Sequence, residues 1–325
     1  MANMNWIDQG GYLANPELNK KFQTAAQPLM RFRQFVSLKN AIGKNQGDSV
    51  NWDKVANIST FGGRLTETNT MPTTDVPITK GTLVLNENGN SIPYTLKMKT
   101  LSFIDTMKII RESLMNDYVK CIDGIIEREF NECKLRYVAT STTTGTLTTN
   151  GTATVTNTSA LNSYHVRKMV NQLKTRNVPG WHGPKGEIGG DYACIASTEA
   201  MESLSSSLET VNSYTESGYK QLLAGEVGRW YGVRFLEDTF ATRFTYSPTL
   251  KTAVAKTWTT GNSLEAYIFG SPTVMEGLAV PEEIRMKEVT DYGRSLGLAW
   301  YMLGGWKIFW DTAADTRIIK WDSAA

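Results

Sequence analysis

The chain has little of what builds metal centres or covalent frameworks. Among 325 residues there are three cysteines and two histidines. Cys121, Cys133 and Cys194 form no CxxC pair and no HExxH occurs, so nothing supports a structural zinc site. Cys121 and Cys133 lie on one helical pattern, roughly 18 Å apart by helical rise, too far to bridge each other. No apolar run approaches the ~20 residues that a membrane-spanning helix needs. The opening MANMNWIDQGG lacks the charged-then-apolar order of a secretory signal, so a cytoplasm-like compartment is expected. Net charge is +2, and no global excess of either sign points to nucleic acid or to a membrane. GxSxG and Walker A motifs are missing, and Gly183-Pro184-Lys185-Gly186 has the wrong spacing for a phosphate loop. No cofactor and no metal is expected.

What is present is one long amphipathic stretch, Ser102 to Tyr137. Its apolar residues fall at Phe103, Met107, Ile110, Leu114, Tyr118, Ile122, Ile126, Phe130, Cys133 and Tyr137. All steps are three or four, the signature of one helix face. Ser102 with Asp105 reads as an N-cap. Such a helix would run roughly 50 Å, far beyond the usual ~11 residues. Fours outnumber threes by seven to two, whereas a coiled-coil seam averages about 3.5. The stripe therefore suits a sheet or a neighbouring layer better than a heptad dimer. Lys108, Glu112, Asp123, Glu127, Arg128, Glu132 and Arg136 leave the other side charged and partly solvated.

Around this helix the chain divides by period and composition. Residues 1–45 read as an arm carrying +4, with a broken amphipathic helix from Pro16 interrupted at Pro28. A basic arm suits contact with phosphates; a basic solvated segment is the plainer reading. Residues 46–101 read as an extended hairpin. Strand patterns at Val50–Ile58, Thr82–Leu85 and Ile92–Met98 flank the turn-rich tip FGGRLTETNTMPTTDVPITK, which carries Arg64 and Glu67. An isolated hairpin is marginal in water, so it must pack on its own body or on another subunit. Residues 140–160 are Thr-rich, and both a linker and a short exposed hairpin fit.

Residues 161–280 read as an α/β unit. It has helices at Ser163–Asn177, after Ser197 (Met201, Leu204, Leu208) and at Ser217–Leu223. Its strands are Tyr192–Ala196, Val233–Leu236 and Glu265–Phe269, and 241–263 is a polar excursion. Residues 281–325 give strands Ile284–Val289, Leu296–Leu303, Trp306–Trp310 and Arg317–Trp321, punctuated at Gly304-Gly305. Trp300, Trp306, Trp310 and Trp321 supply large buried area, a natural partner for the helix stripe. The helix (102–139) and the 281–325 strands would then form one domain, with 161–280 inserted.

Candidate chemistry is thin. His165 reads as a surface or partly buried side chain and His182 as a turn residue. Glu226, Glu237 and Asp238 could be imagined as an acid/base pair in a carbohydrate-active enzyme, but carboxylates beside strands are more often solvated or ion-paired. An arm, a polar hairpin and a very long helix suit a non-enzymatic subunit that interlocks with copies of itself.

In that order the parts resemble the major capsid proteins of tailed bacteriophages with the Hong Kong 97-like fold. The more specific resemblance, to the N4-like podovirus capsid family, rests on Gly225-Glu226-Val227-Gly228-Arg229 followed by Gly232-Val233-Arg234-Phe235-Leu236-Glu237. Tyr267-Ile268-Phe269-Gly270 and Gly305-Trp306-Lys307 add to it. The resemblance implies an α+β fold: N-terminal arm, extended β-hairpin loop, spine helix, peripheral sheet and inserted α/β axial domain. It implies a shell of hexamers and pentamers around double-stranded DNA, with portal and scaffolding or decoration partners, assembled in the host cytoplasm. An encapsulin-like compartment shell is the alternative. Arg64, Glu67, Gly225, Gly228, Arg229, Gly232, Arg234, Glu237 and Trp306 are the assembly or structural candidates. Gly225, Gly228 and Gly232 allow tight turns, and Arg229 and Arg234 could reach a neighbour; a helix-to-strand connection is the plainer reading. Two departures stand out: Asp291-Tyr292-Gly293-Arg294 replaces an expected proline turn, and 241–263 is additional. Some relatives crosslink a loop lysine to a neighbour; Lys54 and Lys80 have no marked partner, and no crosslink is inferred.

Overall fold

In the computed structural model the long amphipathic pattern forms a helix over Thr106–Asn131, shorter at both ends than its spacing predicts. Asp105, not Ser102, is the N-cap, its carboxylate accepting from the backbone N–H of Met107 and Lys108 at 3.0 and 3.4 Å. Ser102 instead ends a separate short helix, Leu96–Leu101. At the far end Cys133 lies just beyond the helix and Tyr137 in a strand. A step of four residues satisfies both the helical period and the twofold alternation of a strand, so the rhythm ran on after the helix had stopped.

The structure describes residues 31–39, 47–58, 62–67, 70–102, 105–152, 159–181, 191–202, 204, 226–240, 244–247, 252–255 and 265–321. The expected arm helix, the Ser217–Leu223 helix, His182, Gly183–Gly186 and Gly225 lie outside them. The strands in chain order are β1 (Val36–Lys39), β2 (Ser49–Val55), β3 (Ile78–Val84), β4 (Asn86–Thr95), β5 (Leu135–Ser141), β6 (Thr144–Thr148), β7 (Tyr192–Ser197), β8 (Glu226–Trp230), β9 (Val233–Asp238), β10 (Phe244–Ser247), β11 (Thr252–Ala255), β12 (Ala266–Phe269), β13 (Val274–Met286), β14 (Ser295–Ile308) and β15 (Ile318–Trp321). They form a four-stranded sheet ordered β1-β13-β14-β4 and a seven-stranded sheet ordered β6-β5-β15-β12-β7-β9-β8, with two-stranded ribbons β2-β3 and β10-β11.

The helix stripe does meet the tryptophan-rich strands. Ile110, Leu114, Tyr118, Ile122, Ile126 and Phe130 are buried in one core with Leu298, Trp300, Met302, Trp306 and Ile308. Each such side chain contributes on the order of 1.5–3 kcal/mol. The same core takes Ala193, Ile195, Leu236, Tyr267 and Phe269 from one face of the seven-stranded sheet. The alternate residues Tyr192, Cys194, Phe235 and Ile268 face another helix, Ser163–Thr175, through its Val166, Met169, Val170 and Leu173. A sheet covered on both faces reads as continuous apolar runs, which is how β7 and β12 look in the sequence.

The expected domain bounds shift accordingly. The 280/281 boundary falls inside β13, and Gly304-Gly305 lies within the single strand β14. The C-terminal strand β15 pairs with β12 and β5, so it belongs with the inserted unit's sheet and not with the other C-terminal strands. Residues 144–148 of the Thr-rich stretch form a hairpin with β5. The excursion at 241–263 contains the β10-β11 ribbon, which lies against the long helix.

That ribbon and the seven-stranded sheet cover the back of the helix, and two residues expected on a solvated side are buried there, Asp123 and Glu127. Glu127 accepts from the Tyr267 hydroxyl at 2.6 Å, beside the buried Lys320–Glu265 pair, also at 2.6 Å. His165 is likewise fully buried, not at the surface, among Tyr137, Tyr164 and Trp321. A helix between two layers has no fully solvated face in its middle, which its own charge pattern cannot announce.

Candidate functional site

The outlying part of the molecule is built on the β2-β3 ribbon. In β2 the side chains alternate, Trp52 and Lys54 inward, Asn51, Asp53 and Val55 outward. Trp52 lies opposite Gly81 of β3, and its indole fills the space that a side chain at 81 would occupy. Trp52 also stacks on Phe309, ring centroids 5.8 Å apart. Lys54 Nζ reaches Asp311 Oδ1 at 2.6 Å. Beneath the ribbon the four-stranded sheet carries no side chain at one paired position, where Gly277 and Gly305 are register partners across β13 and β14. A Cβ at Gly305 would stand 2.1 Å from the Val84 carbonyl oxygen, and one at Gly277 2.8 Å from Leu83. The two glycines are a seat on which the ribbon rests.

Beyond the seat the chain leaves the body. Ala56 N–H donates to the Pro77 carbonyl at 3.0 Å and closes the ribbon. Every described residue from 57 to 80 is exposed. These include Ile58, Leu65, Met71, Val76 and Ile78, with Met71 68% accessible. Arg64 and Glu67 lie on this excursion, both exposed. Exposed apolar side chains recurring along one excursion suit an interaction surface.

The glycine-rich segment is elsewhere and is not the helix-to-strand connection expected. It is the hairpin β8-β9, turned by Tyr231 and Gly232, both with positive φ (50° and 73°). Two positive-φ residues are what a type I′ hairpin turn demands, and here Gly232 supplies one at no steric cost. Gly228 is buried in β8 beside a bulge. Arg229 and Arg234 are cross-strand partners that both turn to Asp191 of their own chain. Arg229 Nη2 is 2.6 Å from Oδ1 and Arg234 Nε 3.0 Å from Oδ2. Both are engaged within their own chain, Arg234 nearly buried and Arg229 half-exposed.

Glu237 lines a shallow depression of about 310 Å³ with Thr198, Glu199, Met201, Glu202 and Val227. Glu226 stands opposite Leu236 in the ladder and not opposite Glu237. Trp306 lies in the core, 7% exposed. Among the described residues no group of three His, Cys, Asp or Glu could hold a metal ion, and no helix is long and apolar enough to cross a membrane. Sequence reasoning missed Asp191 and the seat glycines. Asp191 carries no motif, and Gly304-Gly305 looked like a strand break.

No protein-family model matches the sequence, and no curated protein matches it. Solved structures do. The head structure of Helicobacter pylori bacteriophage KHP40 superposes with a TM-score of 0.67 at 12% identity, covering 100% of this chain and 98% of that one. The capsid of Ralstonia phage GP4 gives 0.64 at 14% identity, with 96% of each chain covered. The cyanophage Pam1 capsid gives 0.64 at 13%, covering 96% and 97%. At such identities the likeness is one of fold: the chain has the mixed α+β, Hong Kong 97-like fold of phage capsid structures.

Proposed function

We propose that the chain is a major capsid protein, a structural subunit that assembles with copies of itself into an icosahedral shell around the double-stranded DNA of a tailed phage. The observation that carries this is the excursion at 57–80, which projects apolar side chains with no cover from its own chain. Supporting it is the fold likeness to phage capsids over nearly the whole chain. In this reading the 26-residue helix is the spine and the four-stranded sheet the peripheral layer. The seven-stranded sheet is the axial unit, and the excursion is the loop that lies on a neighbour. Membership of the N4-like group, hexamers and pentamers, portal and scaffolding or decoration partners, and non-specific contact with packaged DNA belong to the same proposal, as does assembly in the host cytoplasm.

Electron microscopy of the full-length protein, expressed alone and with any scaffold encoded beside it, tests the reading. Closed shells or capsomers are expected. A strictly monomeric protein at high concentration, with residues 57–80 protected from proteolysis, would overturn it.

A further inference from the structure

The near-neutral total of the chain hides a local imbalance. From Cys133 to Gly186 there are 54 residues with seven Lys or Arg and no Asp or Glu, in a chain where 32 of 325 residues are acidic. Part of this excess is spent inside the molecule. Arg176 donates to the Ala313 and Ala314 carbonyls at 2.6 and 3.3 Å, and Arg136 to the Asn131 carbonyl at 3.2 Å.

Three of the other cations stand in the open on the Ser163–Thr175 helix. Tyr164, Arg167, Lys168, Asn171, Lys174 and Thr175 follow one another at the spacing of one helix face. They lie opposite Val166, Met169, Val170 and Leu173, which are buried against the seven-stranded sheet. All of them but Tyr164 are exposed. Lys168 Nζ is 5.4 Å from the centre of the Tyr164 ring. Lys174 Nζ is 5.1 Å from that of Tyr231, whose hydroxyl donates to Asn171 Oδ1 at 3.3 Å. Both rings are neutral, so the lysines are steadied without losing their charge to a carboxylate. The helix covers the sheet face opposite the one that meets the long helix, so these cations point away from the main core.

Charge alone does not name the partner, but the lack of apolar surface beside it does. Protein interfaces centre on buried apolar and aromatic anchors. Among the described residues from 133 to 181 no large hydrophobic side chain is exposed. Interfaces with duplex DNA are more polar and far more positive. Their phosphate oxygens are taken by Arg and Lys and by Asn, Gln, Thr and Tyr side chains, the residue types of this face. Arg167 and Lys174 are two turns apart, roughly 10 Å along the helix, too far to share one phosphate.

We propose that this helix face binds the phosphates of double-stranded DNA through Arg167, Lys168 and Lys174, without reading base sequence. It rests on the shell reading above for the source of the DNA. In a shell it assigns the side of the seven-stranded sheet that carries this helix to the lumen. The binding itself is a property of the single subunit.

Fluorescence anisotropy of a short labelled DNA duplex, titrated with the full-length protein between ~50 and ~200 mM salt, tests this. Each phosphate neutralised adds about 0.9 to the slope of log K against log salt. The triple variant Arg167→Gln, Lys168→Gln, Lys174→Gln should therefore lose about 2–3 from that slope and bind at least ~tenfold more weakly at the lower salt. A control that removes the same charge elsewhere, Lys97→Gln, Lys99→Gln, Arg111→Gln, all exposed, should bind as wild type does. Wild-type protein that does not bind the duplex overturns the proposal, and so does a triple variant that binds no more weakly than the control. Binding to polyglutamate in preference to the duplex also overturns it. That result gives the face to an acidic protein surface, whose richest source in this sequence is 187–240, with nine Asp or Glu and three Lys or Arg. Should the triple variant fail to fold, Lys168→Gln alone must lower the slope by about 0.9. Electron microscopy keeps the two readings apart. Shells from a wild-type protein that ignores DNA sink this proposal alone, and DNA binding without shells sinks the assembly reading alone.

Discussion

Asp191 shows how one side chain can hold two like charges together. Arg229 and Arg234 stand directly opposite on β8 and β9, a destabilising pair unless an anion lies between them. Asp191 and Arg234 are nearly buried, whereas Arg229 is half-exposed. Asp191→Ala takes an ion-pair partner at 3.0 Å from the nearly buried Arg234 and should cost about 3 kcal/mol. Arg229→Ala should cost under about 1 kcal/mol, as an exposed partner does. Chemical denaturation of the two variants checks the ratio; equal costs would mean the clamp does not organise the hairpin. His165 makes a second residue-scale case. Burial holds its pKa below the ordinary imidazole value of 6.5, and its Nε2 has no partner among the described residues. Above that value the imidazole is neutral whether the chain is folded or not. As pH falls below it, the unfolded chain takes up a proton that the folded one resists, so stability drops. His165→Phe should remove this share of the acid sensitivity. The check is the difference in denaturation midpoints between variant and wild type at pH ~7.5 and pH ~5.

At the scale of elements, the glycine seat decides where the β2-β3 ribbon lies. Gly305→Ala pushes a methyl group into the Val84 carbonyl, a backbone atom that cannot step aside, whereas a Cβ at Gly62 would meet nothing within 4 Å. Gly305→Ala should therefore cost about 1–3 kcal/mol and loosen hydrogen-exchange protection of Ser49–Val55, while Gly62→Ala changes neither. The long helix gives the matching test of its stripe. Ile126 is fully buried between the two sheets, so Ile126→Asp should abolish folding, read as loss of the circular dichroism signal and of soluble protein. Folded, soluble subunits would mean that the stripe faces solvent or a partner. These elements also show what the sequence could carry. The helix and its tryptophan-rich partner were legible because buried faces repeat with a fixed period. Its ends were not, because the apolar rhythm continues through Cys133 and Tyr137 into a strand. Gly304-Gly305 misled for a different reason: glycine breaks strands, but it also lets another backbone cross closely, and only the crossing ribbon tells the two apart. The β8-β9 hairpin was hidden because Tyr231 takes a left-handed conformation that nothing in its residue type announces. Asp123 and Glu127 look like a solvated helix face until the layers on both sides are in place.

For the whole molecule, the question is what the projecting excursion contributes to a single subunit, and burial answers that it contributes almost nothing. Its residues from 57 to 80 are exposed throughout the described part, and the ribbon is already closed by the Ala56–Pro77 hydrogen bond. Below that bond, Trp52 on Phe309, Lys54 on Asp311 and the Gly277–Gly305 seat hold the base. Replacing residues 58–75 by a two-residue Asn-Gly turn therefore removes no buried side chain among the described residues and shortens a loop, which lowers the entropic cost of closing it. The shortened subunit should melt within a few degrees of the full chain, about the shift expected from less than 1 kcal/mol. It should also be more soluble, because Leu65 and Met71 no longer face water. Assembly should respond in the opposite way. If the excursion covers a neighbouring copy, its loss removes an interface from every subunit at once, and electron microscopy with size-exclusion chromatography should find folded monomers or small oligomers in place of shells. Normal shells from the shortened chain would show that the excursion is ornamental and that contacts on the two sheets close the particle unaided. A chain that fails to fold would show that the excursion packs on its own body after all.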